Sequence, residues 1–517
     1  MEMGLNKDTV NSPAGLAPFD GFGIGEEISS RAPSLSLRVV QAEELREQVR
    51  RSAYVFVADS LTEPSADFPD RGKLKRIPTE FGAAAVSIDP ASRTVLLLVD
   101  PRCAGSAGAM ASSIIKGIQF FLDRDEQGHS LNLYVCPGLH NRYSQFCSAF
   151  AQEVDLRLGH DFPHADLEVN LVAPPDGAAG ERLKQEADYV NVSYRALKSA
   201  KRISNLPPNL STPRQMAEWT YSLFKEAEGK VEVRKIHPGE GQFQFCRQLV
   251  DSGDHDAEIL EITYTPEATP LSHVSLVGKG VTFDAGGLAL KPWKGQELMK
   301  YDKIGAVVCL LATYAAASSG LPVKITTYVV FCENLLRRDS IKPGSVYRIG
   351  ESDYVEVNNP DGEGRLLLAD CLHYIASSPL QPDSVITVAT LTGDSFEAFG
   401  DIYLPYFTND EQNEHPVGIA AQESGEKVWK MPLDAAFKKY LSSGLPGVIK
   451  NYSNSTARLI TSACFIGEFA REMSWIHFDM AGVSVANGTA SGRPLLFLIN
   501  LLKQIGEAKA RTEGDRV

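Results

Sequence analysis

Runs of apolar residues divide the chain into two territories. In the first third, Thr94–Val99 (TVLLLV) and 132–135 read as buried strands. The Pro-, Gly- and Ala-rich stretch 172–180 (VAPPDGAAG) then marks a boundary. Across 182–202, Leu183, Ala187, Val190, Tyr194, Leu197 and Ala200 recur at helical intervals and predict a connecting helix, ended by the Pro207-Pro208 pair. Beyond it, β-branched runs at 273–277, 326–331 and Ser384–Ala389 predict strands, with helices at 297–318 and 365–377. Such alternation predicts an α/β fold whose mostly parallel central sheet is flanked by helices. The expected organisation is a smaller N-terminal α/β domain (1–180), a connecting helix (181–205) and a larger C-terminal domain (206–517). Ligands in such folds collect beyond the carboxyl ends of the strands.

Composition narrows the partners. The 517 residues carry 51 Lys and Arg against 65 Asp and Glu, a net charge of −14. That balance argues against nucleic acid and against anionic membrane surfaces, both of which call for clustered cations. The longest apolar run, 304–317, contains Gly305 and Thr313 and is too short to span a bilayer, so a buried helix is expected there. Residues 1–20 hold no apolar stretch fit for a signal-peptide core. Eight scattered cysteines with no C-x-x-C pair read as reduced thiols, which points to a cytoplasmic location.

Two clusters carry chemistry. One follows a predicted strand, Val277-Gly278-Lys279-Gly280-Val281-Thr282-Phe283-Asp284, and runs on through Lys291 to Asp302. The other, Asn359-Pro360-Asp361-Gly362-Glu363-Gly364-Arg365-Leu366, precedes a predicted helix. Taken singly, each reads better as an ordinary turn or a solvated acidic loop than as a site. Together they bring Asp284, Asp302, Asp361 and Glu363 into play, four carboxylates that repel one another unless cations neutralise them. Two divalent ions balance that charge, and oxygen donors suit hard or borderline metals. Lys291 and Arg365 then supply surplus positive charge for a developing oxyanion, so metal-assisted hydrolysis of a carbonyl compound is the expected chemistry.

These motifs resemble those of the leucyl aminopeptidase (cytosol aminopeptidase) family. The family signature Asn-Thr-Asp-Ala-Glu-Gly-Arg-Leu is matched at 359–366, with Pro360 and Gly362 in place of Thr and Ala. Further matches are Lys279, Asp284, Lys291, Asp302, Cys332-Glu333-Asn334, Lys342-Pro343-Gly344, 389–393 and Asp479-Met480-Ala481-Gly482. The likeness covers roughly residues 200–505.

The resemblance implies a metal-dependent aminopeptidase that removes the N-terminal residue of short peptides. Two divalent ions per subunit are implied, commonly zinc, with manganese, magnesium or cobalt as replacements. Lys279, Asp284, Asp302 and Glu363 would hold one ion; Asp284, Asp361 and Glu363 would hold the other. A hydroxide bridging the ions would attack, Lys291 would stabilise the oxyanion, and Arg365 would hold a bicarbonate acting as general base. The implied side-chain pocket is Met299, Thr390, Leu391, Gly393, Ala481 and Ser484. Ser484 stands where Met is common and Asp394 where Ala is usual, so a wider, more polar pocket is expected. The implied partners are peptides with a free N-terminus and further copies of the chain in a homohexamer, for which 495–502 offers an apolar packing segment. The alternative is a catalytically weak member acting as an oligomeric scaffold or binding protein.

Overall fold

The computed structural model describes the backbone of six strands between residues 34 and 172 and the chain from 177 to 514, leaving aside 226, 228, 238–242, 251–256, 271, 351–352, 380 and 455. The six strands are β1 (Ser34–Val40), β2 (Ala53–Ala58), β3 (Ala84–Asp89), β4 (Thr94–Val99), β5 (His129–Val135) and β6 (Asp166–Val172). They pair in the order β1-β6-β5-β2-β4-β3, all parallel except β3 against β4. The strands expected at 94–99 and 132–135 fall on β4 and within β5. Residues 1–20, the stretch 173–176 between β6 and the next helix, and Cys103, Cys136 and Cys147 lie outside the described residues.

Helix α1 (Gly177–Asn205) contains the stretch expected to be helical, and its Ala187, Val190, Tyr194, Leu197 and Ala200 are buried. After a short 3-10 turn at Pro208–Leu210 come α2 (Pro213–Lys225), β7 (Val231–Ile236), α3 (Gln244–Val250) and β8 (Glu258–Tyr264). The long strand β9 (Ser272–Asp284) leads through a 3-10 segment, Gln296–Lys303, to α4 (Ile304–Ser319) and β10 (Val323–Asn334). Strands β11 (Ser345–Ile349) and β12 (Asp353–Val357) lead to a 3-10 turn at Pro360–Gly362, then α5 (Glu363–Ala376), β13 (Ser384–Ala389) and α6 (Gly393–Phe399). Next are β14 (Leu404–Thr408), α7 (Glu414–Ser424), β15 (Val428–Lys430), β16 (Val448–Lys450) and α8 (Arg458–Ala470). The chain closes with β17 (Trp475–Asp479), the short ribbon β18 (Val485–Ala486) and β19 (Thr489–Ala490), and α9 (Leu495–Gly514).

The larger sheet has the order β15-β14-β17-β13-β9-β10-β8-β7. Its four central strands β17, β13, β9 and β10 are parallel, and β14, β8 and β7 add antiparallel pairings toward the edges. The parallel reading therefore holds for the centre, where side chains are buried on both faces; β7 is half exposed, as an edge can be. One apolar cluster packs α1, α4 and α9 on one face, and a second packs α3, α5 and α8 on the other.

Two expectations need correction. The helix expected from 297 starts only at Ile304, because three successive residues before it, Tyr301, Asp302 and Lys303, are all buried, each with its own partners. The Tyr301 hydroxyl lies 2.9 Å from Asn205 Oδ1, and Lys303 Nζ donates to the Lys300 carbonyl at 2.6 Å and the Ser204 carbonyl at 3.2 Å. These tertiary contacts override the local helix preference of the segment. The 495–502 segment, expected to offer an apolar surface between subunits, is spent inside this chain: Leu495, Phe497, Leu498, Ile499, Leu501 and Leu502 belong to its own core.

Helix α4 lies against the sheet at a glycine. A Cβ built on Gly305 would come within 2.4 Å of the Val388 carbonyl oxygen and 3.1 Å of the Lys279 nitrogen. Gly305→Ala is expected to push α4 off β9 and β13, at a cost of about 1–3 kcal/mol. Thermal denaturation measures it, and an unchanged Tm would mean that the helix is not seated so closely.

Candidate active site

The carboxyl ends of the four parallel strands converge, and each delivers a side chain. Lys279 lies within β9, and Asp284 ends it. Asn334 ends β10, Thr390 follows β13, and Asp479 ends β17. Asp361 sits in the 3-10 turn and Glu363 opens α5. Ligand oxygens of Asp284, Asp361 and Glu363 all lie within 4.8 Å of one another, close enough to share a metal ion. Asp302 stands outside that trio and joins it through the Lys279 amine, which is 2.6 Å from Asp302 Oδ2 and 2.8 Å from Glu363 Oε1. Lys279 Nζ also donates to the Thr390 carbonyl at 3.0 Å, and the Thr390 hydroxyl donates to Asp302 Oδ1 at 2.7 Å. The Lys291 amine contacts both Asp284 and Asp361.

Burial makes this charge arrangement tense. Lys279, Asp284, Asp302 and Glu363 are all buried. Burial and the neighbouring carboxylates push the Asp302 and Asp361 carboxyls up to about 7, despite the nearby lysines. Glu363 is lowered to about 2: burial opposes its charge, but the attraction of Lys279 and Lys291 wins. Burial likewise opposes the charge on both lysines, yet the carboxylates around them raise each above the ordinary lysine value. Two ammonium groups face four carboxylates, which leaves the cluster short of positive charge. Oxygen donors with a deficit of that sign fit divalent cations, which would compete with the lysines for the same oxygens.

Arg365 lies in the first turn of α5 and is buried. Its Nη1 donates to the Asn451 carbonyl at 2.8 Å and its guanidinium stacks 5.0 Å from the Tyr452 ring centre. Its Nε has no hydrogen-bond partner among the described residues. Desolvation lowers its pKa to about 10.

Of the pocket residues, Met299 is half-buried on the 3-10 segment, while Thr390, Leu391 and Gly393 follow β13 and Ala481 and Ser484 follow β17. Ser484 is buried and its hydroxyl turns to the Ala481 carbonyl at 3.3 Å. Three supporting residues had been given no role by sequence reasoning. Asn334 Nδ2 donates to Asp284 Oδ1 at 2.8 Å and to Glu363 Oε2 at 3.1 Å, tying the two clusters together. Asn451 Oδ1 accepts from the backbone of Asn358 and Asn359 at 3.0 and 3.2 Å and so fixes the loop before Asp361. Asp479 accepts from the Leu391 and Ala481 nitrogens, both at 3.2 Å, and from the Thr392 hydroxyl at 2.8 Å, joining the two halves of the expected pocket. Asn334 and Asp479 fall within matched motifs that carried no assigned role, and Asn451 follows a short half-buried strand with no motif to mark it.

Residues 198–499 match the cytosol aminopeptidase family, catalytic domain. The chain belongs to that family. Among similar family proteins, a "Probable cytosol aminopeptidase" of Legionella pneumophila (strain Corby) is 36% identical over 319 residues, 59% of this chain and 64% of that protein. The cytosol aminopeptidase of Vibrio cholerae serotype O1 is 32% identical over 321 residues, 59% of this chain and 61% of that one. The likeness thus spans less than two thirds of these family members. Among solved structures, the bottromycin maturation enzyme BotP in complex with Mn superposes with a TM-score of 0.73 at 24% identity, covering 88% of this chain and 99% of BotP. Leucyl aminopeptidase from Trypanosoma brucei in complex with bestatin gives 0.74 at 20% identity, over 93% and 98%. At such identities the two share the family fold with this chain. Among the described residues, no helix is long and apolar enough to cross a membrane, and Cys246, Cys309, Cys332, Cys371 and Cys464 are buried free thiols.

A Cβ on Gly364 would lie 2.6 Å from Lys279 Cδ and Cε and 2.8 Å from its Nζ. Gly364→Ala is therefore expected to keep the fold yet displace the Lys279 amine. Titration with Mn2+ should show weakened uptake, and unaltered uptake would mean that the lysine gives way without consequence.

Proposed function

We propose that the protein is a metal-dependent aminopeptidase that releases the N-terminal residue of short peptides. The observation that carries this reading is the carboxylate trio Asp284, Asp361 and Glu363, within 4.8 Å, in a chain of the cytosol aminopeptidase family. Lys279, Asp284, Asp302 and Glu363 would hold one divalent ion; Asp284, Asp361 and Glu363 would hold a second. Zinc is the expected metal and manganese a ready substitute, in keeping with the manganese named for BotP. When bound, the ions supply Lewis acidity toward the scissile carbonyl and make water nucleophilic at neutral pH.

The protein's own groups do the rest. A peptide's free amino group suits the acidic centre, which explains selection of N-termini. Lys291, partly exposed beside Asp284 and Asp361, presents its ammonium to the negative charge that develops on the carbonyl oxygen. Arg365 would hold a bicarbonate as general base, and its unpartnered buried Nε supports an anion there. Met299, Thr390, Leu391, Gly393, Ala481 and Ser484 would receive the first side chain. The proposal extends to a cytoplasmic homohexamer, with a catalytic domain at 206–517 joined by 181–205 to a domain at 1–180. No specific observation favours the scaffold reading.

Metal analysis together with hydrolysis of an aminoacyl-amide panel, with and without chelator, tests the reading. Activity that survives full chelation would reject it. Glu363→Ala should abolish turnover and leave fewer than two ions per chain, because this carboxylate would bridge both. Lys291→Ala should keep its metal but lose kcat by roughly 100-fold or more, the scale of a lost oxyanion donor. A Lys291 variant that lost its metals instead would exchange the roles of the two lysines.

A further inference from the structure

Asp302 stands apart from the other carboxylates of the site. It lies outside the trio Asp284, Asp361 and Glu363, on the 3-10 segment Gln296–Lys303, where no strand pairing locates it. Its Oδ2 is 2.6 Å from the Lys279 amine, and its Oδ1 accepts from the Thr390 hydroxyl at 2.7 Å. What fixes its backbone is found on either side of it, in Tyr301 and Lys303, both buried.

Both neighbours are tied to the end of α1. The Tyr301 hydroxyl lies 2.9 Å from Asn205 Oδ1 and 2.8 Å from the Gly488 carbonyl. Asn205 is itself held: its Nδ2 donates to the Lys201 carbonyl at 2.8 Å, and its Oδ1 accepts from the Ala490 nitrogen at 3.1 Å. Lys303 Nζ donates to the carbonyls of Lys300, Ser204 and Leu206 at 2.6, 3.2 and 3.4 Å. Three ammonium hydrogens thus meet three carbonyls, two of them at a helix end, where carbonyls lack partners within the helix.

We propose that Tyr301 and Lys303 are positioning residues for Asp302: clasped to the end of α1, they hold its carboxylate beside Lys279 and so set the affinity of the one metal ion that Asp302 would help to hold. The inference rests on the two-ion aminopeptidase reading and deepens it by separating the two ions. A ligand oxygen must sit within about 0.2 Å of its place, and groups behind a ligand that orient it govern how tightly the metal is held. The second ion, on Asp284, Asp361 and Glu363, has its supports elsewhere, in Asn334 and Asn451. The connecting helix therefore acts on one ion and not on the other.

Calorimetric titration of Mn2+ into the metal-free protein tests this by resolving two binding steps. Tyr301→Phe and Lys303→Met should each weaken one step roughly tenfold or more and leave the other within about twofold of wild type. Tyr189→Phe is the control: it deletes a buried hydroxyl of α1 that lies 3.1 Å from Asn500 Oδ1, and both steps should keep their wild-type affinity. Tyr301→Phe is the milder change and decides the matter should Lys303→Met fail to fold. Two unchanged steps in folded Tyr301→Phe, an equal weakening of both, or the same loss in Tyr189→Phe overturns the inference alone. A wild type that takes up both ions yet hydrolyses no aminoacyl amide removes the aminopeptidase reading and leaves the positioning role standing. A wild type that takes up fewer than two ions removes both.

Discussion

Four carboxylates brought within reach of one another in a buried site are the constraint around which this molecule is arranged. In a medium of low effective dielectric their repulsion is large unless cations answer it. Without other cations, Lys279 and Lys291 answer part of it, and the remainder appears in Asp302 and Asp361, whose carboxyls are raised to about 7. The rest of the architecture can be understood as what holds such a cluster in place. Parallel strands β9, β10, β13 and β17 end together, and their last residues or the turns after them supply the charged and polar groups. Asn334 joins the two clusters through one uncharged amide, as Lys279 and Lys291 do through their ammonium groups.

Close packing below the site does the complementary work. Helix α4 is buried along almost its whole length and meets the sheet where Gly305 allows contact with the Val388 carbonyl. Because Lys279 is on the strand that α4 covers and Asp302 on the 3-10 segment leading into it, the seating of this helix sets the distance between those two groups. Lys303 reinforces that geometry by donating to carbonyls at the end of α1. A charged cluster is thus held by apolar packing, which resists displacement better than an exposed ion pair does.

How far the sequence anticipates this differs by level. The buried strands, the apolar helix from 304 and the residues Lys279, Asp284, Lys291, Asp361, Glu363 and Arg365 are legible, because they lie in two short segments whose residue types make sense only together. Asn334, Asn451 and Asp479 reach partners 29 to 93 positions away, through sets of side-chain hydrogen bonds whose partners no local pattern marks. The 3-10 winding before α4 is hidden for a related reason: it follows from three separate tertiary anchors at Tyr301, Asp302 and Lys303, which override local helix preference. Periodicity at 495–502 predicts burial correctly but not against what, and the answer is the chain's own core.

The competition for oxygen atoms gives the two lysines different parts under the proposed function. Lys279 is enclosed, with contacts to Asp302, Glu363 and the Thr390 carbonyl, so a cation bound beside it can be accommodated by loss of its proton while the amine stays in place. Lys291 is partly exposed and sits on Asp284 and Asp361, the oxygens an ion would claim. A divalent ion outbids a single charge for those oxygens, and Lys291 has solvent-facing room in which to keep its proton. Under that reading burial would sort the pair: the enclosed amine would suit a ligand, and the partly exposed ammonium would keep its charge for the transition state.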